Sequence, residues 1–99
     1  YQQIRSTINV PLLANITEFG KTPLFTVAEL QGVGIDIALY PLTAFRAMSA
    51  AALDAYTTLR TTGTQTTLLN KMQSREELYN HLDYHRYEQQ LDQELDDGK

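Results

Sequence analysis

Val10-Pro11-Leu12-Leu13-Ala14-Asn15-Ile16 is a nearly continuous apolar run in this chain of 99 residues. Such a run is typical of a parallel strand covered on both faces, whereas a strand with one wet face alternates apolar and polar residues. Residues 17 to 24 contain Gly20 and Pro23 and have no periodicity, which indicates a loop. The sequence therefore predicts a buried parallel strand over residues 10 to 16, followed by a loop at its carboxyl end.

The next segments repeat the order of strand and helix. Thr26 and Glu29 have the spacing of a capping box, which predicts a short helix that ends at Gly32 or Gly34. Residues 35 to 40 form a second short apolar run and predict a second strand. Strands that alternate with helices are typical of repeated β/α units, in which the strands are parallel.

A long amphipathic helix is predicted from Thr43 to the glycine at position 63, which can end it. Its apolar residues recur at spacings of three and four and therefore share one face. These residues are Phe45, Met48, Ala52, Tyr56 and Leu59.

The remainder of the chain is predicted to be helical without strands. Leu68, Leu69 and Met72 suggest one or two turns, and Ser74 with Glu77 forms a second capping-box spacing. Asp83 is predicted to cap a last helix, after which residues 96 to 99 should fray. The apolar stripe of that last helix consists of Tyr84, Tyr87, Leu91 and Leu95.

Two parallel strands do not make a stable sheet, because each leaves an unpaired edge and needs helices on both faces. Further strands must come from a longer polypeptide or from assembled copies of this chain. The chain starts with Tyr1 rather than Met, and we expect the first explanation.

Composition excludes several classes of protein. An apolar content of 42% predicts a folded chain, and the net charge of −4 makes nucleic acid a poor partner. No apolar run approaches the ~20 residues that a membrane helix needs. The absence of cysteine fits a reducing compartment. We therefore expect a soluble, cytoplasmic protein that contacts neither nucleic acid nor membrane.

Three separated segments carry a resemblance to a known family. They are Leu13-Ala14-Asn15-Ile16-Thr17-Glu18-Phe19-Gly20, Ala38-Leu39-Tyr40-Pro41-Leu42-Thr43-Ala44-Phe45-Arg46-Ala47-Met48, and Met72-Gln73-Ser74-Arg75 with Glu77-Leu78-Tyr79. In this order and at these separations they resemble the 2-methylisocitrate lyases of the isocitrate lyase and phosphoenolpyruvate mutase superfamily. The resemblance covers residues 8 to 93, and the three segments together are far more specific than any one of them.

The resemblance implies an α/β fold, a TIM-type (β/α)8 barrel whose enzyme cleaves 2-methylisocitrate to pyruvate and succinate in the methylcitrate cycle. Residues 1 to 63 would be the last two β/α units, and residues 64 to 95 a helical extension that swaps onto a neighbouring subunit. The implied partners are a tricarboxylate substrate and copies of the same chain, with a tetramer expected. Residues 96 to 99 would be the frayed tail.

The resemblance also implies Mg²⁺ as cofactor, with its ligands upstream of this chain. The family's Ser-Gly-Gly, Asp-x-Asp and Lys-Lys-Cys-Gly-His segments would all precede Tyr1. We therefore expect no catalytic residue and no metal ligand within these 99 residues, and no activity from them alone.

Five residues match substrate-binding positions of the family: Asn15, Ile16, Thr17, Arg46 and Arg75. Arginine suits this task, because its planar fork can bond a carboxylate bidentately. A cation in the first turn of a helix opposes the helix dipole, and an anionic ligand would explain that placement. On spacing alone the alternatives are a solvent-facing or salt-bridged arginine for Arg46, a surface charge for Arg75, and a strand-end turn for Asn15 and Thr17.

Other readings stay open at this point. His81 and His85 are four residues apart and could share a metal on one helical face, although two solvated histidines are the commoner case. Glu18 could be a general base or an exposed loop carboxylate. The enzyme could instead be another Mg²⁺-dependent lyase or a phosphonomutase of the same superfamily. A non-catalytic helical module could associate through residues 43 to 62 and 74 to 95.

Overall fold

A computed structural model describes residues 1 to 98 and is mostly helical, with a small parallel sheet of two strands. The elements in chain order are α1 (Gln2–Thr7), β1 (Leu13–Asn15), α2 (Val27–Gly32), β2 (Ile37–Leu39), α3 (Thr43–Thr62), a 3-10 helix (Thr66–Lys71), α4 (Arg75–Leu82) and α5 (Tyr84–Asp97). The chain divides into two compact units, residues 1 to 57 and residues from 58 onward.

The two predicted strands are present and pair in parallel. Leu13 lies opposite Ile37, and Asn15 lies opposite Leu39. The amide of Ile16 extends the ladder by donating a hydrogen bond of 2.8 Å to the carbonyl of Leu39. Both strands are shorter than predicted, at three residues each.

The two faces of the sheet differ in burial. On one face Ala14 and Ile16 pack with Leu30 of α2, at 1%, 5% and 2% exposure. On the other face Leu13 and Ile37 are 51% and 52% exposed. Within this chain α2 covers one face only, and the burial of the other face stays a prediction for a larger sheet.

Two helices begin with capping boxes at the predicted positions. The amide of Glu29 donates to the Thr26 hydroxyl at 3.2 Å, and the amide of Thr26 donates to the Glu29 carboxylate at 2.7 Å. Ser74 and Glu77 repeat the arrangement at 3.1 and 2.7 Å. Each pair satisfies two amide groups that the first turn of a helix leaves without an intrahelical partner.

Replacing Ser74 with alanine should lower the free energy of unfolding by ~1 kcal/mol, because the amide of Glu77 loses its acceptor. Urea denaturation of the variant, made in the longer polypeptide expected above, would measure the loss. Ser74→Thr is the matched control, since it keeps the hydroxyl and should cost much less. An equal loss in both variants would contradict the assignment.

The long helix α3 has the predicted bounds, and Gly63 follows it with a φ of 71°, a conformation that favours glycine. Its predicted apolar face is well exposed within this chain: Phe45 66%, Met48 70% and Tyr56 74%. Within residues 1 to 98 no helix is both long enough and apolar enough to cross a membrane.

The junction of α4 and α5 differs from the prediction. Asp83 does lie between the two helices, but its side chain makes no capping hydrogen bond to α5. Its φ of 53° is left-handed, whereas a capping residue normally has extended backbone that aims its side chain at the first amides. The Asp83 carboxylate instead accepts a long hydrogen bond of 3.5 Å from Arg86. The helix α5 then continues to Asp97, two residues into the segment predicted to fray, and residue 99 lies outside the described residues.

Helix α1 was not predicted, and Arg5 ties it to the strands. The guanidinium of Arg5 bonds the carboxylate of Asp36 at 3.1 Å and the carbonyl of Gly34 at 3.2 Å. It also donates to the carbonyls of Ile8 at 2.7 Å and Val10 at 3.0 Å. The Arg5 guanidinium therefore links the segment that precedes β1 to the segment that precedes β2.

Candidate functional site

The candidate site lies at the carboxyl edge of the sheet. Because β1 and β2 are parallel, the segments that follow them leave the sheet at the same edge. Asn15 ends β1 and is followed by Thr17 and Glu18, while Arg46 stands in the first turn of α3, three residues after Thr43. Four of the five predicted site residues are thus on two adjacent strand ends of the first unit.

Arg46 contacts the loop that follows β1. Its side chain is half-buried, and its Nη1 donates a hydrogen bond of 3.2 Å to the carbonyl of Glu18. The guanidinium carbon lies 5.2 Å from the centre of the Phe19 ring, within range of a cation–π contact. A guanidinium carries five N–H donors, more than this one bond uses. The group can therefore keep its place on the loop and still bind a carboxylate.

Glu18 joins the same loop to α3. The Thr43 hydroxyl donates a hydrogen bond to Glu18 Oε1. The other carboxylate oxygen, Oε2, is out of contact with solvent and has no hydrogen-bond partner among residues 1 to 98. The bond from Thr43 is the main cause that lowers the pKa of Glu18, with smaller contributions from its own backbone amide and from the charge of Arg46, while burial opposes them. Glu18 is therefore a carboxylate at neutral pH.

The position of Glu18 in the sequence is the signal that could have identified it. Glu18 follows β1 and Thr43 follows β2, so both lie at the carboxyl edge of the sheet, as do Asn15 and Thr17. The commoner reading, an exposed loop carboxylate, does not hold, since Glu18 is half-buried and bonded to Thr43.

Replacing Thr43 with valine should raise the pKa of Glu18 toward its ordinary value, because the hydroxyl that favours the charged form is lost. A carboxyl carbon titration by NMR would measure the midpoint, with Thr43→Ser as the control that keeps the hydroxyl. A depressed folded-state pKa gives stability that is present above the unfolded pKa and is lost as pH falls through the folded one. The valine variant should therefore lose less stability on acidification, and equal midpoints in both variants would refute the assignment.

Asn15, Ile16 and Thr17 line a cavity of about 100 Å³ together with the loop of residues 20 to 23. The Thr17 hydroxyl donates to the side-chain oxygen of Asn15 at 3.2 Å. Ile16 is 5% exposed and its amide is used in the sheet, so its side chain belongs to the core. Arg46 is not among the residues that line this cavity. The substrate-binding roles of these four residues stay predictions.

Arg75 is the first residue of α4, directly after the cap Ser74, and its side chain is exposed. It belongs to the second unit, whereas the other four predicted site residues belong to the first. Its role in binding substrate stays a prediction.

The two histidines lie on different helices. His81 is in α4, with Nδ1 2.8 Å from the carbonyl of Glu77, and His85 is in α5, 3.6 Å from the Glu88 carboxylate. The turn at Asp83 separates them, so the rule that places residues four apart on one helical face does not apply. Over residues 1 to 98 no three His, Cys, Asp or Glu side chains come together as a metal site.

Comparisons with known proteins give the following matches. No family model matches the chain. A 2-methylisocitrate lyase of Escherichia coli strain K12 is 52% identical over 92 residues, which is 93% of this chain and 31% of the relative. Proteins of the same name from Vibrio cholerae and Bacillus subtilis are 56% and 40% identical, over 85% and 89% of this chain and 27% and 29% of the relatives. The chain thus spans about a third of the length of the curated relatives that it matches.

Proposed function

We propose that this chain, a homologue of the 2-methylisocitrate lyases over about a third of their length, is part of a carbon–carbon lyase that cleaves 2-methylisocitrate to pyruvate and succinate. The observation that carries the proposal is the 52% identity to the Escherichia coli enzyme across 93% of the chain. The names of the relatives indicate a lyase. That the protein containing this chain acts on the same substrate is part of the proposal.

The proposed architecture of the whole protein is a (β/α)8 barrel to which this chain contributes the last two β/α units. Support comes from the parallel pairing of β1 and β2 and from the exposed face of the sheet, on which Leu13, Ile37 and Leu39 keep 51%, 52% and 43% of their surface exposed. In a barrel such a face is filled by inward-pointing side chains from other strands. Further strands of a longer protein would therefore cover the face of the sheet that Leu13, Ile37 and Leu39 leave exposed in this chain.

The proposed assembly is a cytoplasmic homo-oligomer, a tetramer, in which the helices of residues 64 to 95 pack on a neighbouring subunit. The stripe on α5 supports it, because Tyr87, Leu91 and Leu95 are 60% to 67% exposed. An apolar stripe of this kind is costly to leave in water and favours a partner surface.

In the proposed chemistry Asn15, Thr17, Arg46 and Arg75 bind the substrate carboxylates. The amide of Ile16 is bonded to the Leu39 carbonyl, so Ile16 is assigned only its main-chain carbonyl, as an acceptor for a substrate hydroxyl. Cleavage leaves negative charge on a succinate-like enediolate, so donors that are already in place stabilise the transition state more than the ground state. The bond from Arg46 to the Glu18 carbonyl supports this role, since it holds a cation at the carboxyl edge of the sheet.

Mg²⁺ is the proposed cofactor, with ligands in other parts of the polypeptide. The described residues 1 to 98 do not offer a ligand set that fits it. The residues of this chain are therefore assigned to binding and orienting the substrate.

The proposal is tested with the polypeptide that carries this chain, expressed at its natural length and assayed with Mg²⁺ for release of pyruvate from 2-methylisocitrate. Isocitrate and a phosphonate substrate are assayed beside it. Turnover of 2-methylisocitrate supports the proposal. Activity toward a phosphonate without activity toward 2-methylisocitrate would instead place the protein among the phosphonate-processing members of the superfamily.

A second candidate is a non-catalytic helical module, which the exposed apolar faces of α3 and α5 favour. Circular dichroism and sedimentation of residues 1 to 99 alone separate the two. A part of a barrel lacks the rest of its sheet and should not unfold cooperatively on its own, whereas a cooperative transition in a defined oligomer would favour the module.

A further inference from the structure

Phe19 combines two unfavourable features. Its side chain is 94% exposed, and its backbone φ of 63° lies in the left-handed region that favours glycine. A bulky residue in that region costs roughly 1–2 kcal/mol, and an exposed aromatic ring gives back almost no burial energy. Such strain at a functional edge calls for a role of the ring other than packing.

The ring lies against Arg46. The guanidinium carbon is 5.2 Å from the ring centre, and Nη1 of the same group bonds the carbonyl of the preceding residue, Glu18, at 3.2 Å. Glu18 and Phe19 therefore both contact the Arg46 guanidinium, Glu18 through its backbone carbonyl and Phe19 through the face of its ring. Glycine at position 19 would remove the backbone strain, but it would also remove the aromatic ring that contacts Arg46.

The loop is itself fixed to the helix that carries Arg46. Glu18 accepts a hydrogen bond from Thr43, which stands three residues before Arg46 and hence on the same side of α3. Three contacts therefore join this loop to the first turn of α3: Thr43 to the Glu18 carboxylate, and Arg46 to the Glu18 carbonyl and to the Phe19 ring.

We propose that Phe19 is a positioning residue, whose ring fixes the orientation of the Arg46 guanidinium for a substrate carboxylate. The inference rests on the proposed function and deepens it. The guanidinium lies over the Phe19 ring, and its N–H groups other than the one bonded to the Glu18 carbonyl can bind a carboxylate bidentately. The ring itself touches no reacting atom in this assignment.

The test compares Phe19→Leu with Phe19→Tyr in the natural-length polypeptide. Leucine keeps an apolar side chain without a ring, whereas tyrosine keeps the ring. We expect kcat/KM for 2-methylisocitrate to fall by about twofold to fivefold in the leucine variant, the effect of one exposed cation–π contact, and by less than about 1.5-fold in the tyrosine variant. The denaturation midpoint should stay the same in both, because the ring is 94% exposed.

A double-mutant comparison separates positioning from general damage. In an Arg46→Ala background, Phe19→Leu should cause no further loss of kcat/KM, since the group that the ring orients is absent. A further loss of about twofold to fivefold in that background would overturn the inference, as would an active wild type whose kcat/KM is unaffected by Phe19→Leu.

A second readout does not depend on turnover. The rate of rotation about the Nε–Cζ bond of Arg46, measured by nitrogen NMR, should rise in Phe19→Leu and stay at the wild-type rate in Phe19→Tyr. If the wild type releases no pyruvate from 2-methylisocitrate, the proposed function fails, and this measurement still decides the inference. An equal rotation rate in wild type and Phe19→Leu would overturn it.

Discussion

Replacing Arg46 with lysine is expected to lower kcat/KM for 2-methylisocitrate by a factor of about 10 or more. Lysine keeps the charge but has no planar fork, so it cannot bond a carboxylate through two parallel N–H groups. It would also lose the geometry that joins Nη1 to the Glu18 carbonyl at 3.2 Å. A factor of 10 corresponds to about 1.4 kcal/mol of transition-state stabilisation.

The control for this prediction is Arg60→Lys, the same substitution in the last turn of the same helix. Arg60 is exposed and far from the strand ends along the chain, so kcat/KM should stay within about twofold of wild type. Steady-state kinetics over a range of substrate concentrations would supply kcat and KM separately. Unchanged turnover in Arg46→Ala would rule out the role assigned to Arg46.

Local rules correctly predicted where α2 and α4 begin and where α3 ends. The capping boxes at Thr26 and Ser74 depend on residues three positions apart, and both are present as predicted. The end of α3 at Gly63 also follows from one residue, since the φ of 71° there favours glycine. Hydrogen bonds and backbone preferences within a few residues were therefore sufficient to predict these helix ends.

Contacts between distant residues could not be predicted in the same way. Arg5 and Asp36 are 31 positions apart, and no periodicity links them, so α1 and its attachment to the strands were missed. Asp83 was expected to cap α5 because it is a good capping residue, but its left-handed backbone turns its side chain elsewhere. The residue type at one position does not determine the backbone conformation at that position.

The candidate site was predicted in part. The placement of Asn15, Thr17 and Arg46 on adjacent strand ends followed from the order of strands and helices, which the structure confirms. The contacts of Glu18 and Phe19 with α3 were not predicted, because they depend on how the loop folds back onto the helix. The substrate-binding roles came from the resemblance alone and await the kinetic tests.

Replacing Gly34 with alanine is expected to lower the free energy of unfolding by about 2 to 4 kcal/mol, the largest stability effect predicted for this chain. Gly34 has a φ of 82°, and a methyl group there would stand 2.5 Å from Cδ and 2.7 Å from Cγ of Arg5. The left-handed backbone alone costs roughly 1–2 kcal/mol for alanine. The remainder comes from displacing Arg5, whose guanidinium bonds Asp36 and the carbonyls that lead into both strands.

Two other glycines separate the two causes. Gly63 has a φ of 71° with nothing within 4 Å of an added methyl group, so Gly63→Ala should show the backbone cost alone. Gly32 ends α2, and an added methyl group there meets nothing within 4 Å, so Gly32→Ala should be neutral or stabilising by up to about 1 kcal/mol. Urea denaturation of the three variants, each made in the natural-length polypeptide, should therefore order the losses as Gly34, Gly63, Gly32. Equal losses at Gly34 and Gly63 would mean that the Arg5 side chain moves aside at little cost, and that its bonds to the strand entrances contribute little to holding the sheet together.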